Sequence, residues 1–135
     1  MSDMQRDAID QQLSALDTRL RLARPSDGAG LAELLAGLAR LEFPQLPDAD
    51  AAHLQKMLRT STGAYVLLVE EEGRALGVAA THVFPDLLSG DSQVFVDDVL
   101  VDPAARGKGV GTLLIAGIKS LASELGSRSV FVHLD

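Results

Sequence analysis

With 135 residues the chain suits one domain, and 47% hydrophobic with 23% charged residues is a composition that can bury a core, which excludes a disordered chain. Cysteine is absent, so disulfides, thiolate zinc sites and a cysteine nucleophile are excluded. The net charge of −7 argues against a nucleic-acid backbone as partner and agrees with a cationic one, such as an amine.

The N-terminal stretch MSDMQRDAIDQQLSALD is polar and acidic. It has no apolar segment of signal-peptide type, and no window of the chain reaches transmembrane length, so no membrane partner and a cytoplasmic location are expected. Aromatics are few, four Phe and one Tyr without Trp, so the core must be aliphatic. Residues 5–18 read as a helix, because Ile9, Leu13, Leu16 and Leu20 recur at helical spacing. That stripe either packs on the domain or pairs with another subunit. Arg19 to Arg24 alternates, with Leu20 and Leu22 on one side, and reads as a short strand. Pro25-Ser26-Asp27 stops it and offers a helix cap. Leu31, Leu34, Leu35, Leu38 and Leu41 then form a helical stripe that Pro44 and Pro47 end. A further helix is expected from about Asp48 to Leu58, with Leu54, Met57 and Leu58 inward.

After Gly63 the period changes. Ala64–Val69 and Ala75–Val83 read as a hairpin around Glu70-Glu71-Glu72-Gly73. A loop follows from Pro85 to Asp91. Gln93–Val101 is an apolar strand broken by Asp97 and Asp98. Val110–Leu125 is the strongest helix, with Leu113, Leu114, Ile118, Leu121 and Leu125 on one face and Gly126 at its end. Ser129–Leu134 is a last strand. The expected class is α/β (α+β), a mixed central sheet with element order α-β-α-α-β-β-β-α-β.

The informative unit is the strand, the turn and the helix around Arg106-Gly107-Lys108-Gly109-Val110-Gly111. A glycine-rich turn entering a helix presents unpaired N–H groups at the positive end of the helix dipole, which makes an anion site. Glycines let a pyrophosphate approach the backbone, and Arg106 and Lys108 add charge at the rim. A Walker A loop does not fit, because Asp102 stands at its first glycine and Gly109 follows Lys108. The dinucleotide fingerprint does not fit either, because Thr112 stands where it needs glycine.

Arg106, Gly109 and Gly111 do match [RQ]-x-x-G-x-[GA]. With the flanks Val99-Leu100-Val101-Asp102-Pro103 and Leu113-Leu114, and with the order of elements, the chain resembles the Gcn5-related N-acetyltransferase (GNAT) superfamily over roughly residues 19–135. The resemblance implies an acetyl-CoA-binding domain over 19–135, with 1–18 as a helical extension. It implies acetyl-CoA as cosubstrate and an amine as acceptor, with no metal. The pantetheine arm would pair with the backbone of Val99, Leu100 and Val101. Arg106, Gly107, Lys108, Gly109, Val110, Gly111 and Thr112 would hold the pyrophosphate, largely through backbone N–H groups.

Direct attack by an amine needs a proton acceptor. The resemblance puts a carboxylate on the strand before the loop, so Asp97 is the first candidate and Asp98 the second. The stretch Val96–Asp102 is similar to that of the glucosamine-phosphate acetyltransferases. Alternation sends the two side chains to opposite faces. Carboxylates in an apolar strand point either to a site or to a bulged strand end. His82 stands before the loop and is either a proton relay or a solvated side chain. His and carboxylate spacing offers no metal site. Relative to the family the sequence is C-terminally short, without the usual further helix and two strands. The tyrosine that protonates the departing thiolate there has no counterpart, since Tyr65 lies elsewhere. An uncovered, apolar last strand leads to the expectation of a homodimer, unless the sequence was cut.

Overall fold

A computed structural model describes residues 3–41 and 50–132, with Leu41 by its backbone only. The stops expected at Pro44 and Pro47, the start near Asp48, and the strand residue Leu134 lie outside the described residues.

The elements in chain order are α1 (Asp3–Leu16), β1 (Leu20–Leu22), α2 (Gly28–Leu41), α3 (Ala51–Thr60), β2 (Ala64–Glu71), β3 (Arg74–Pro85), β4 (Ser92–Val101), α4 (Val110–Glu124) and β5 (Ser129–Val132). Short 3-10 turns at Pro25–Asp27 and Pro103–Ala105 precede α2 and α4. This is the expected mixed α/β order. The five strands lie side by side as β1-β2-β3-β4-β5. All pairs are antiparallel except β4 with β5, which is parallel because α4 connects them. The tight turn between β2 and β3 runs through Glu72 and Gly73, both at positive φ (52° and 77°), which matches the right-handed twist of a hairpin.

Alternation along the strands divides the core in two. On one face, Leu20, Leu22, Leu67, Val69, Ala79, Val94 and Val96 pack against Ile9 and Leu13 of α1 and against Leu114, Ile118 and Leu121 of α4. On the other, Leu68 and Val78 pack against Leu31, Leu34 and Leu38 of α2, with Leu54 and Leu58 of α3 beside them. The stripe on α1 therefore packs on the domain, with Leu13 fully buried, while Leu16 at its end is exposed. Gly117 is where α4 comes closest to the sheet: a Cβ there would stand 2.9 Å from Leu67 and 3.0 Å from Leu20.

Arg21 of β1 ties the layers together at the surface. Its guanidinium donates to Asp27 at 2.8 Å and to Glu70 of β2 at 3.1 Å. Within Pro25-Ser26-Asp27, the segment expected to offer a helix cap, Asp27 reaches back to accept the N–H of Arg24 at 2.6 Å. Burial pushes the Asp27 carboxyl up, but the hydrogen bonds from Arg21 and Arg24 outweigh it and hold it below its ordinary value.

If α1 belongs to the folding unit, Leu13→Ala must leave a cavity between α1 and α4. Urea unfolding is expected to show a loss of about 2–5 kcal/mol. A loss below about 0.5 kcal/mol, the scale of a surface substitution, would show that α1 is undocked in solution.

Candidate active site

The antiparallel ladder between β3 and β4 contains one irregularity. Ala80 stands opposite Asp98 and Thr81 opposite Val96, so Asp97 is an extra residue without a partner across the ladder. This is a β-bulge, and it resets the alternation of β4. Val94 and Val96 face α4 before it, and Val99 and Val101 face the same core after it. Asp97 and Asp98 are both exposed and both line one cleft. The expectation that they point to opposite faces is therefore corrected: the bulge adds a residue, and a period of two no longer applies across it.

The cleft has a volume of about 370 Å³ and lies between the sheet and the α2–α3 pair. His82 of β3 joins the two acids. Its Nδ1 lies 2.6 Å from Asp97 Oδ2, and in the tautomer that donates from Nδ1 to the carboxylate Nε2 is the acceptor. The imidazole is also held by rings. It stacks on Phe95 at 5.1 Å and 6°, and meets the edge of Phe84 at 4.9 Å. Phe95 in turn stacks on Phe131 of β5 at 5.1 Å. The strand extends to Pro85, beyond the expected end at Val83, and His82 within it is half-exposed with its ring on Asp97.

The opposite edge of β4 is paired over less than half its length. Gln93–Val96 pair with Ser129–Val132, and residues 97–101 have no strand partner on that side among the described residues. The open edge leads directly to the glycine loop. Gly107 and Gly109 adopt left-handed backbone, φ 77° and 80°, and Gly109 is the N-cap of α4. It supplies no side-chain cap, so the first-turn N–H groups of Val110, Gly111 and Thr112 face outward without one. A Cβ at Gly107 or Gly109 would meet nothing within 4 Å, so neither glycine is there for packing. These features fit an anion held by main-chain groups.

The remaining loop residues divide by burial. Val110 is buried against Gly77, whereas Lys108 and Thr112 are exposed. Arg106 is exposed and its Nη2 approaches the Val101 carbonyl at 3.5 Å. Val99, Leu100 and Val101 turn their side chains into the two cores and leave their backbone at the open edge. Tyr65 is on β2 in the α1–α4 core, where burial pushes its phenol up. Among the described residues no group of three His, Asp or Glu could hold a metal ion, and no helix is long and apolar enough to cross a membrane.

The sequence reading missed the cleft wall. Leu54, Met57 and Leu58 read as a core stripe, yet they line the cleft. No sequence signal separates the two, and only the fold shows Met57 46% exposed.

A splayed parallel strand pair with a glycine loop at the following helix defines a class of acyl-transfer proteins, and the comparisons agree. The model of the Acetyltransferase (GNAT) family matches residues 30–135. The glucosamine 6-phosphate N-acetyltransferase of Trypanosoma brucei brucei is 30% identical over 119 residues, covering 87% of this chain and 80% of its own. A crystal structure of a ribosomal-protein-alanine N-acetyltransferase from Brucella melitensis biovar Abortus 2308 superposes with a TM-score of 0.73 at 23% identity, covering 86% of this chain and 79% of its own. An aminoglycoside acetyltransferase from an uncultured soil metagenomic sample, in complex with sisomicin, gives 0.72 at 25% identity, covering 89% of this chain and 80% of its own. The chain belongs to the GNAT acetyltransferase family, whose members use acetyl-CoA.

Proposed function

We propose that this chain moves an acetyl group from acetyl-CoA to a primary amine, with Gly107–Thr112 as the pyrophosphate loop and the Asp97–Asp98–His82 cluster handling the amine. The observation that carries the reading is the continuity of β4. One strand presents the acids at the cleft, then an open backbone edge at Val99–Val101, then the loop at α4. A thioester laid along that edge has its carbonyl beside the cleft.

The roles follow from the chemistry. An amine enters as an ammonium ion and is attracted by the carboxylates. It must lose a proton before its nitrogen can attack the thioester carbonyl; the C–S bond then breaks, and the proton taken from the amine balances the coenzyme A thiolate that leaves. Asp97 holds His82 by its Nδ1–H, so Nε2 keeps a lone pair for that proton. Asp98 is left to hold the ammonium nitrogen. Arg106 and Lys108 add charge around the phosphates, and Val110 contributes its N–H while its side chain anchors the helix.

The two glycines of the loop call for different tests. Gly109→Val strains a left-handed backbone, so it is expected to destabilise the fold by about 1–3 kcal/mol as well as to weaken binding. Gly111 has ordinary helical backbone, and a Cβ there meets only Val101 at an ordinary 3.7 Å. Gly111→Val is therefore expected to fold normally and to bind coenzyme A at least about tenfold more weakly by calorimetry. Unchanged affinity in Gly111→Val would remove the loop from the binding site.

Asp97→Asn is expected to lower turnover by on the order of a hundredfold with little change in acetyl-CoA affinity, and His82→Gln to do the same. Because the two residues act as one unit, the double variant should be little worse than either. Full turnover in Asp97→Asn, Asp98→Asn and His82→Gln between about pH 6 and pH 9 would leave water as the base.

A second copy of the chain is proposed to cover the outer side of β5, where Val130, Phe131 and Val132 are exposed. Strand edges pair with their own copies about a two-fold axis. Sedimentation at micromolar concentration should give a dimer, and a monomer would refute this arrangement.

A further inference from the structure

From the lining of the cleft we infer that the acceptor is a small, apolar primary amine without phosphate or sugar hydroxyls. This rests on the transferase reading above and adds the substrate class. The body of the cleft is aliphatic: Leu31 and Leu35 of α2, Leu54, Met57 and Leu58 of α3, and Val78 of β3. Its charged end is acidic, formed by Asp97 and Asp98 beside His82. One end therefore suits an ammonium group and the rest suits a hydrocarbon. A volume of about 370 Å³ lies toward the small end of ligand pockets.

A phosphorylated amine does not fit this lining. Binding a phosphate dianion takes several converging donors, commonly Arg or Lys. Arg6 is the single Arg or Lys among the described lining residues, and its Nη2 is held by the Ala23 carbonyl at 2.5 Å. Lys56 and Arg59 of α3 are exposed and do not line the cleft. Residues 42–49, EFPQLPDA, contain no Lys or Arg. Two carboxylates at the amine end would also repel a phosphate on a compact sugar.

Sugar hydroxyls fare no better, because each needs a partner once buried. The Thr81 hydroxyl is already given to the Tyr65 carbonyl at 2.7 Å, the aliphatic wall has none to offer, and Ser61 and Tyr65 are the other hydroxyl side chains among the described lining residues, too few for the several hydroxyls of a sugar. The acceptor class thus departs from the phosphosugar and the aminoglycoside in the names of two of the proteins this chain resembles.

The test compares phenethylamine, glucosamine and glucosamine 6-phosphate on the full chain. Thiol release from acetyl-CoA reads turnover, and calorimetry with coenzyme A present reads binding of each amine separately. Phenethylamine is expected to exceed both sugars by at least about tenfold in kcat/KM and in affinity. Met57→Lys, at a half-exposed position, should weaken phenethylamine binding about tenfold and leave acetyl-CoA affinity unchanged. Binding of phenethylamine without thiol release from any amine would support the assigned acceptor class and overturn the transferase reading. Equal or tighter binding of glucosamine 6-phosphate, or no binding of phenethylamine, would overturn the inference itself.

Discussion

At Asp97, strand β4 carries one residue more than β3 can pair with. Without that residue, alternation would place Asp98 on the side of Val94 and Val96, against α4. A carboxylate buried there without a partner would be costly. With it, Val94, Val96, Val99 and Val101 all serve the same core, and Asp97 and Asp98 both leave it for the cleft. One irregular hydrogen-bond register thus keeps the core apolar and concentrates charge at a single place. The His82–Asp97 pair and the acidic end of the cleft depend on it.

The two faces of the sheet carry different loads. The α1–α4 face holds the larger core, and Gly117 and Gly77 let α4 lie close to the strands. Its packing fixes where α4 begins, and so where the N–H groups of the glycine loop point. The α2–α3 face packs less completely and leaves a cavity lined by aliphatic side chains. The sheet itself joins the two, since β4 passes from the acids to the loop. A phosphate-bearing donor and an amine can then approach opposite ends of one strand segment without competing for the same side chains.

Membership of the GNAT family leaves the acceptor open, because related sheets and loops occur in proteins named for a phosphosugar, a ribosomal-protein alanine and an aminoglycoside. In this chain the cleft is closed by the wall opposite the sheet. Here that wall is Leu and Met from α2 and α3, which can exclude water from the cleft but offers almost no hydrogen bonds. The proposed selection against hydroxylated or phosphorylated amines would come from groups left without partners rather than from any one contact.

The sequence by itself determined the elements and the loop. Helical spacing in Leu31–Leu38 and Val110–Leu121, alternation in Leu20–Leu22, and the glycines after Arg106 are local signals, because a period or a positive-φ turn is set by neighbours in the chain. The tertiary structure alone decided the rest. His82 and Asp97 lie 15 residues apart and meet only because β3 and β4 pair in one register. The bulge that turns both acids to one side is a property of that pairing; Asp97-Asp98 interrupts the period of β4, but the interruption alone fits a site or a bulge equally well. Leu54, Met57 and Leu58 form an apolar stripe whether they close a core or wall a cleft, since hydrophobicity records removal from water and not what fills the space. How far α3 stands from the sheet depends on every contact beneath it, so only the folded arrangement of α2, α3 and β3 could make the difference.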